Sequence, residues 1–156
     1  MIRSFQRKET IELATPIEDE DFIIANLDSF GYYRVNYDEE NWNKINNQLT
    51  RDFTLIPTKN RAQILNDLFG FSQAFIIDPP TKPFEIAKYL INETEYLPWV
   101  IAFDRLKYIT DQFQFLPAYV DLKKYYLTLV EPIYKSLGWE SKKTDRWLDR
   151  YIYHLF

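Results

Sequence analysis

The sequence has no cysteine, and histidine occurs only once, at His154. Without cysteine, disulfides and thiolate metal sites are excluded within the chain. One histidine cannot supply a His-Glu-x-x-His motif or any other multi-histidine zinc site. We therefore expect His154 to be a packed side chain or a partner of a helix C-terminus, and we predict no metal ligand, cofactor-binding residue or catalytic residue in this chain.

Glycine, long apolar runs and clustered basic residues are also scarce. The three glycines, Gly31, Gly70 and Gly138, stand far apart, so no glycine-rich phosphate loop exists. No apolar run approaches the roughly 20 residues that span a bilayer, so no membrane segment is expected in this chain. The net charge is −4 and the Lys and Arg residues are dispersed, so nucleic acid is not expected as a partner.

The residues that are abundant favour a globular helical protein. Hydrophobic residues make up 46% of the 156 positions and aromatic residues 18%, which is enough for a core and excludes a disordered chain. Neighbouring tyrosines could form a ligand platform, but aromatic residues at strand or helix spacing are more often core. The acidic run at 18–21 could suggest a cation site but is predicted to consist of solvated turn residues. The carboxylate pairs Glu93/Glu95 and Asp145/Asp149 could do acid–base work but are predicted to be caps and helix-surface charges.

Residues 1–38 carry a strand pattern. The short alternating run at 11–13 and the β-branched and aromatic runs at 22–26 and 32–37 predict three short strands of an antiparallel β element. Residues 27–31 predict a hairpin loop, with Gly31 available for positive φ. Three strands leave unpaired edges, so we expect a homo-oligomer through residues of about 9 to 37, with β pairing between chains.

After Asp38 the apolar period changes from two to 3.6, which predicts helices. Asp38 is predicted to cap the first, with Trp42, Ile45 and Leu49 on one face. Thr58 is predicted to cap the second, with an apolar stripe that reaches Ile76 and a stop at 78–80. Three of the remaining predicted helices are capped at Thr81, Thr94 and Ser141, and another spans about 117–137 with a break or kink near Pro132. Short connections favour antiparallel pairs stacked as an α-solenoid.

From Gly31 to Asp38, and at Trp42, the sequence resembles the segment that enters the helical C-terminal domain of aminopeptidase N-type (gluzincin) zinc aminopeptidases. Residues 60–67 resemble the second-helix signature of that family, and residues 89–90 and 93–99 resemble its next one. A further match lies at Tyr134 and 137–139. The matches follow the family's order over residues 22–156. The residues that carry this resemblance, called the signature residues below, are Gly31, Tyr33, Arg34, Val35, Asn36, Tyr37, Asp38, Trp42, Asn60, Arg61, Asp67, Glu93, Thr94, Glu95, Pro98 and Trp99.

The resemblance implies a mainly α fold, a bowl segment of HEAT- or armadillo-like helix pairs, also called the endoplasmic-reticulum-aminopeptidase-like C-terminal domain. Residues 1–38 would end a β-sandwich domain, and residues 39–156 would form the N-terminal part of the helical domain. The parent would be a zinc metallopeptidase that removes N-terminal residues from peptides, with its zinc and catalytic residues in domains outside this chain. This piece would enclose the active site and help to select substrates, so it is not expected to be an enzyme alone.

The expected partners are the remaining domains of the parent and, through them, its peptide substrates. The parent would be membrane-anchored or secreted, with this domain extracellular, or alternatively cytoplasmic. The sequon Asn92-Glu93-Thr94 has meaning only on the secretory side. A free-standing helical scaffold that binds a protein partner is the alternative function, and an independent enzyme is a third.

Overall fold

The computed structural model describes residues 21–137, and this part of the chain is mainly helical. Its α-helices are α1 (Glu39–Asp52), α2 (Thr58–Gln73), α3 (Lys82–Ile86), α4 (Tyr96–Phe113) and α5 (Tyr119–Leu137). Single 3₁₀ segments occur at Leu27–Ser29, Phe53–Leu55 and Ala87–Asn92. The predicted strand at 11–13, the predicted helix from Ser141 and His154 lie outside the described residues.

Helix α1 forms as its sequence predicts. The Asp38 side chain accepts a hydrogen bond from the backbone N–H of Asn41 at 2.7 Å, which satisfies one of the free N–H groups of the first turn. Trp42, Ile45 and Leu49 are buried on one face. The predicted cap and the predicted apolar face are therefore both confirmed.

Helix α2 begins at Thr58 but ends earlier than predicted. Thr58 is the first helical residue after Pro57 rather than a side-chain cap. The helix stops at Gln73 because Phe75 adopts a left-handed φ of 55° and the N–H of Ile76 donates to the carbonyl of Phe71 at 2.9 Å. That 6→1 bond is the Schellman way of ending a helix. Ile76 is consequently exposed, so its predicted place in the buried stripe is wrong.

The next three helices keep the predicted order with shifted bounds. The predicted third helix divides into the short α3 and the 3₁₀ segment Ala87–Asn92. Helix α4 begins two residues after Thr94, with Glu95 at the N-cap position and Pro98 in the first turn as predicted. Helix α5 runs without interruption through Pro132, so it is not broken there, and a kink at Pro132 stays a prediction.

Helices α2 and α4 pack side by side and run in the same direction. Arg61 near the start of α2 pairs with Glu93 just before α4, and Asn66 in the middle of α2 bonds Arg105 in the middle of α4. The chain between them returns through α3 and the 3₁₀ segment, against which α5 packs. The Tyr125 hydroxyl of α5, for example, donates to the Phe84 carbonyl at 2.7 Å. Such alternation of direction is consistent with the stacked helix pairs of an α-solenoid.

No strand forms between residues 21 and 38 of the described chain, so the predicted strands at 22–26 and 32–37 are wrong. The backbone there bonds side chains instead of a neighbouring strand. The Ile23 N–H donates to Asn41 Oδ1 and its carbonyl accepts from Asn41 Nδ2, while the Val35 N–H donates to Asp67 Oδ2. Residues 21–38 therefore have no unpaired strand edges with which another chain could pair. The predicted homo-oligomer stays a prediction.

The α1 cap gives a stability prediction. Replacing Asp38 with Ala removes the acceptor for the Asn41 N–H, so we expect the free energy of unfolding to fall by about 1 kcal/mol. Asp38→Asn keeps a capping oxygen and should lose much less. Urea unfolding followed by circular dichroism measures both variants. Equal midpoints for the wild type and Asp38→Ala would contradict the role of this cap.

Candidate functional site

A groove with a cavity volume of about 660 Å³ opens where the segment 26–34 meets α2 and the start of α4. Tyr32 and Arg34 line one side, Lys59 and Asn66 belong to α2, and Leu97 belongs to α4. Tyr32 is fully exposed. The contacts of the signature residues around this groove determine its shape.

Arg34 and Asp67 connect residues 21–38, called the N-terminal segment here, to α2. The Arg34 Nη1 donates to the Asn66 carbonyl at 2.6 Å and lies 3.4 Å from Asp67 Oδ1. Asp67 Oδ2 accepts from the Val35 N–H at 3.0 Å. The Arg34 guanidinium lies directly against Gly70, where an added Cβ would be 2.6 Å from Nη1. A small residue one turn after Asn66 therefore leaves room for the guanidinium.

The Asp67 carboxyl is buried, and burial raises its pKa above the ordinary value of 3.8. The N–H of Val35, the charge of Arg34 and the charge of Arg105 oppose this rise without cancelling it. A raised pKa is typical of functional sites, but structural networks produce it as well. Here the two carboxylate oxygens are held by Arg34 and Val35, which indicates a positioning role.

The loop before Arg34 is held by two buried or partly buried amides. Asn26 closes the loop, because its Oδ1 accepts from the Gly31 N–H at 2.6 Å and its Nδ2 donates to the Gly31 carbonyl at 3.0 Å. Asn60, fully buried in α2, accepts from the Asp28 N–H and donates to the Asn26 carbonyl. The positive φ angles fall on Asn26, Asp28 and Ser29.

The role predicted for Gly31, a positive φ, is therefore corrected. Its restriction is steric, since an added Cβ would lie 2.1 Å from the Tyr33 ring. Asn26, which the sequence analysis did not single out, takes the left-handed conformation instead. The signal for it was its residue type, because asparagine tolerates this conformation better than most residues.

Asn36, Tyr37 and Trp42 attach the same segment to α1. The Trp42 indole N–H donates to Asn36 Oδ1 at 3.0 Å, and the Tyr37 ring packs edge-on against Trp42 with a centroid distance of 4.9 Å. The Tyr37 hydroxyl accepts from the Ala25 N–H at 3.0 Å. Asp38 then begins the helix. The first group of signature residues thus forms one continuous junction between segment, α1 and α2.

Arg61 and Glu93 form the second group around a buried ion pair. Arg61 Nε and Nη2 donate to the two Glu93 oxygens at 2.6 and 3.0 Å, and both side chains are almost inaccessible to solvent. Arg61 Nη1 also donates to the Ile56 carbonyl at 2.6 Å. Bidentate geometry and additional hydrogen bonds are what make a buried ion pair tolerable.

Glu93 also organises the start of α4. Its Oε1 accepts from the N–H groups of Thr94 and Glu95 at 3.0 and 2.9 Å, and its carbonyl accepts from the Trp99 indole N–H at 3.0 Å. Pro98 and Trp99 are buried in the first turn of the helix. Burial, followed by the charge of Glu93, raises the pKa of nearby Tyr89 well above its ordinary value, so that hydroxyl stays neutral.

The signature residues are thus brought together in two groups by packing and hydrogen bonds. Asn66 and Arg105, which sequence reasoning missed, extend the second group along α2 and α4, with Arg105 Nη2 donating to Asn66 Oδ1 at 2.5 Å. Within residues 21–137, no group of three or more His, Asp or Glu side chains could hold a metal ion. The residues described here therefore do not fit the zinc that the resemblance implies for the parent.

The buried ion pair gives a second stability prediction. Glu93→Ala leaves the Arg61 charge buried without its partner, so we expect a loss of about 3–5 kcal/mol in the free energy of unfolding. The matched control is Lys107→Ala, which breaks the exposed pair with Asp111 and should cost less than about 1 kcal/mol. Denaturant unfolding compares the two. Similar losses of unfolding free energy in both variants would show that the buried pair contributes no more to stability than the exposed one.

Asp67 and Asp52 should titrate on opposite sides of 3.8. The side-chain and backbone hydrogen bonds from Thr54 lower the pKa of Asp52, whereas burial raises that of Asp67. Because the folded pKa of Asp67 lies above its unfolded value, its contribution to stability declines as pH rises from 3.8 through the folded pKa. Carboxyl-carbon NMR titration measures both midpoints. A midpoint for Asp67 at or below that of Asp52 would contradict the assigned burial.

The sequence of this chain matches known proteins over most of its length. The ERAP1-like C-terminal domain family matches residues 22–155. Aminopeptidase N of Rattus norvegicus is 37% identical over 145 residues, which are 93% of this chain and 14% of the relative. Aminopeptidase N of Homo sapiens is 42% identical over 114 residues, 73% of this chain and 12% of the relative.

A relative with another name matches the same region. The thyrotropin-releasing hormone-degrading ectoenzyme of Rattus norvegicus is 33% identical over 125 residues, which are 80% of this chain and 12% of the relative. The chain therefore spans only about an eighth of the length of these relatives. Since the family match covers most of the sequence and both signature groups, the chain belongs to the ERAP1-like C-terminal domain family.

Proposed function

We propose that this chain is a non-catalytic part of the C-terminal helical domain of a zinc aminopeptidase that removes N-terminal residues from peptides. Relatives named aminopeptidase N, aligned over most of this chain, support the proposal. The chain corresponds to a small share of each relative, so the catalytic residues of the parent would lie in other domains. The free-standing scaffold is not favoured, because the relatives carry this region within much longer chains.

The role proposed for the chain is to enclose the active site of the parent and to help select substrates. An enclosing domain must keep its shape while peptides enter and leave, because exclusion of water and selection by length depend on fixed walls. Two features of the described residues suit this role. The Arg34–Asp67 contact fixes the segment to α2, and the Arg61–Glu93 pair fixes α2 to the start of α4.

The remaining domains of the parent are the proposed partners, and peptide substrates reach the chain through them. Phe30 and Tyr32 expose 96% and 111% of their reference areas beside the groove. Exposed aromatic residues so close together favour an interface. Residues 1–38 are proposed to end a β-sandwich domain of the parent, and residues 39–156 are proposed to belong to its helical domain. Residues 21–38 form no strand within this chain alone.

Placement outside the cell is the proposed localisation, with a cytoplasmic parent as the alternative. The support is the word ectoenzyme in the name of one relative. In the described part of the chain, no helix combines the length and apolarity that a membrane crossing demands.

The proposal is tested by comparing this chain with its full-length parent. We expect the parent to hydrolyse an L-aminoacyl chromogenic amide, to lose that activity with a zinc chelator and to regain it with zinc. We expect the purified 156-residue chain to hydrolyse nothing. Hydrolysis by the chain alone, or a folded parent that is inactive with zinc on a panel of aminoacyl amides, would overturn the proposal.

Substrate selection needs a separate measurement in the parent. Glu93→Ala should loosen the position of α4 and so reduce the difference in kcat/KM between long peptides and a single-residue amide. Lys107→Ala, on the exposed face of α4, should leave that difference unchanged. An equal effect of both variants would show that the buried pair does not act on selection.

A further inference from the structure

The sequence contains a single Asn-x-Ser/Thr sequon, Asn92-Glu93-Thr94, among nine asparagines. Such a sequon accepts an N-linked glycan when its middle residue is not proline and the asparagine lies on the surface of a protein in the secretory route. The motif plays no part in the function proposed above. Whether the sequon can accept a glycan depends on the exposure of Asn92 and Thr94 in the folded chain.

Asn92 and Thr94 are exposed on either side of the buried Glu93. Asn92 ends the 3₁₀ segment, and Glu93 has an extended conformation with φ −72° and ψ 134°. Successive side chains of extended backbone point to opposite sides, so the inward Glu93 directs its neighbour Thr94 outward. The Arg61 pair holds Glu93 inward, and this fixes the sequon in its exposed form.

The Asn92 side chain has no structural task within residues 21–137. It makes no hydrogen bond there, whereas the amides of Asn26 and Asn60 are both bonded to backbone groups of the N-terminal segment. A glycan on Asn26 or Asn60 would disrupt those bonds, but neither residue lies in a sequon. Modification of Asn92 would break no contact of the described fold.

We propose that Asn92 is an N-glycosylation site. The donor is a lipid pyrophosphate-linked oligosaccharide. The Asn92 Nδ2 forms a bond to the anomeric carbon of the first sugar, while the bond from that carbon to the pyrophosphate oxygen breaks. The lipid pyrophosphate leaves with the electron pair, and the amide loses one proton to a base of the transferase. No oxidant or reductant is needed.

The glycan would also define a free surface of the parent. A bulky, hydrated sugar at the end of the 3₁₀ segment keeps the turn before α4 in solvent. The other domains of the parent then have to pack on other surfaces, such as the exposed aromatic residues Phe30 and Tyr32.

The test uses the 156-residue chain expressed behind a cleavable secretion signal in a eukaryotic host. We expect a mass increase that an asparagine-specific glycosidase removes under native conditions. Asn92→Gln and Thr94→Ala should lose this increase, and Thr94→Ser, which keeps the sequon hydroxyl, should retain it. The mass is read on both the secreted and the retained chain, so a folding defect does not hide the result.

Two results would overturn the proposal. The first is a chain that enters the secretory route and carries no glycosidase-sensitive mass. The second is a mass increase that persists in Asn92→Gln. If the sugar is released only after denaturation, the exposure of Asn92 in the folded chain would be contradicted as well. Neither result depends on aminopeptidase activity, so the proposed function is tested independently.

Discussion

The packing of this chain depends on the buried ion pair between Arg61 and Glu93. Removing two charges from water costs several kcal/mol per ion, and the pair persists only because its other hydrogen-bonding groups are also satisfied. Arg61 donates to the Ile56 carbonyl, and Glu93 accepts from the first N–H groups before α4. The pair thus determines how α2 and α4 are aligned. The contact of Asn66 with Arg105 follows from that alignment, because both residues lie farther along the same two helices.

Helix α2 is consequently buried on two sides by different kinds of contact. Leu65 and Leu68 enter the apolar core, whereas Asn60 and Asp67 are buried under the N-terminal segment and bind its backbone. Buried polar groups need partners, and the segment provides them in the form of free N–H groups. The segment in turn needs no neighbouring strand. Hydrogen bonds from the segment backbone to the side chains of α2 thus replace those of a sheet, and a sequence with strand character lies against helices without forming one.

Local features of the sequence were sufficient for α1 and insufficient for the segment before it. Asp38 followed by an apolar period of 3.6 predicts a helix because both signals act within a few residues. Phe22 and Ile24 do alternate with the exposed Ile23 as a strand would, but the Ile23 backbone binds the side chain of Asn41, 18 residues later in the sequence. The end of α2 escaped prediction because it depends on a left-handed Phe75, a conformation that phenylalanine rarely adopts.

At the candidate site, too, the sequence indicated which residues matter but not which partners they contact. The resemblance selected Asn60, Arg61 and Asp67, but their partners lie about 32 residues away in the sequence, and no periodicity reveals such pairs. In the folded chain, the polar groups of Asn60, Arg61 and Asp67 hold the helices and the N-terminal segment together. Their hydrogen-bonding capacity is therefore not available for a substrate. Contacts with the partners proposed above would therefore have to come from the exposed side chains beside them, such as Tyr32 and Lys59 at the groove.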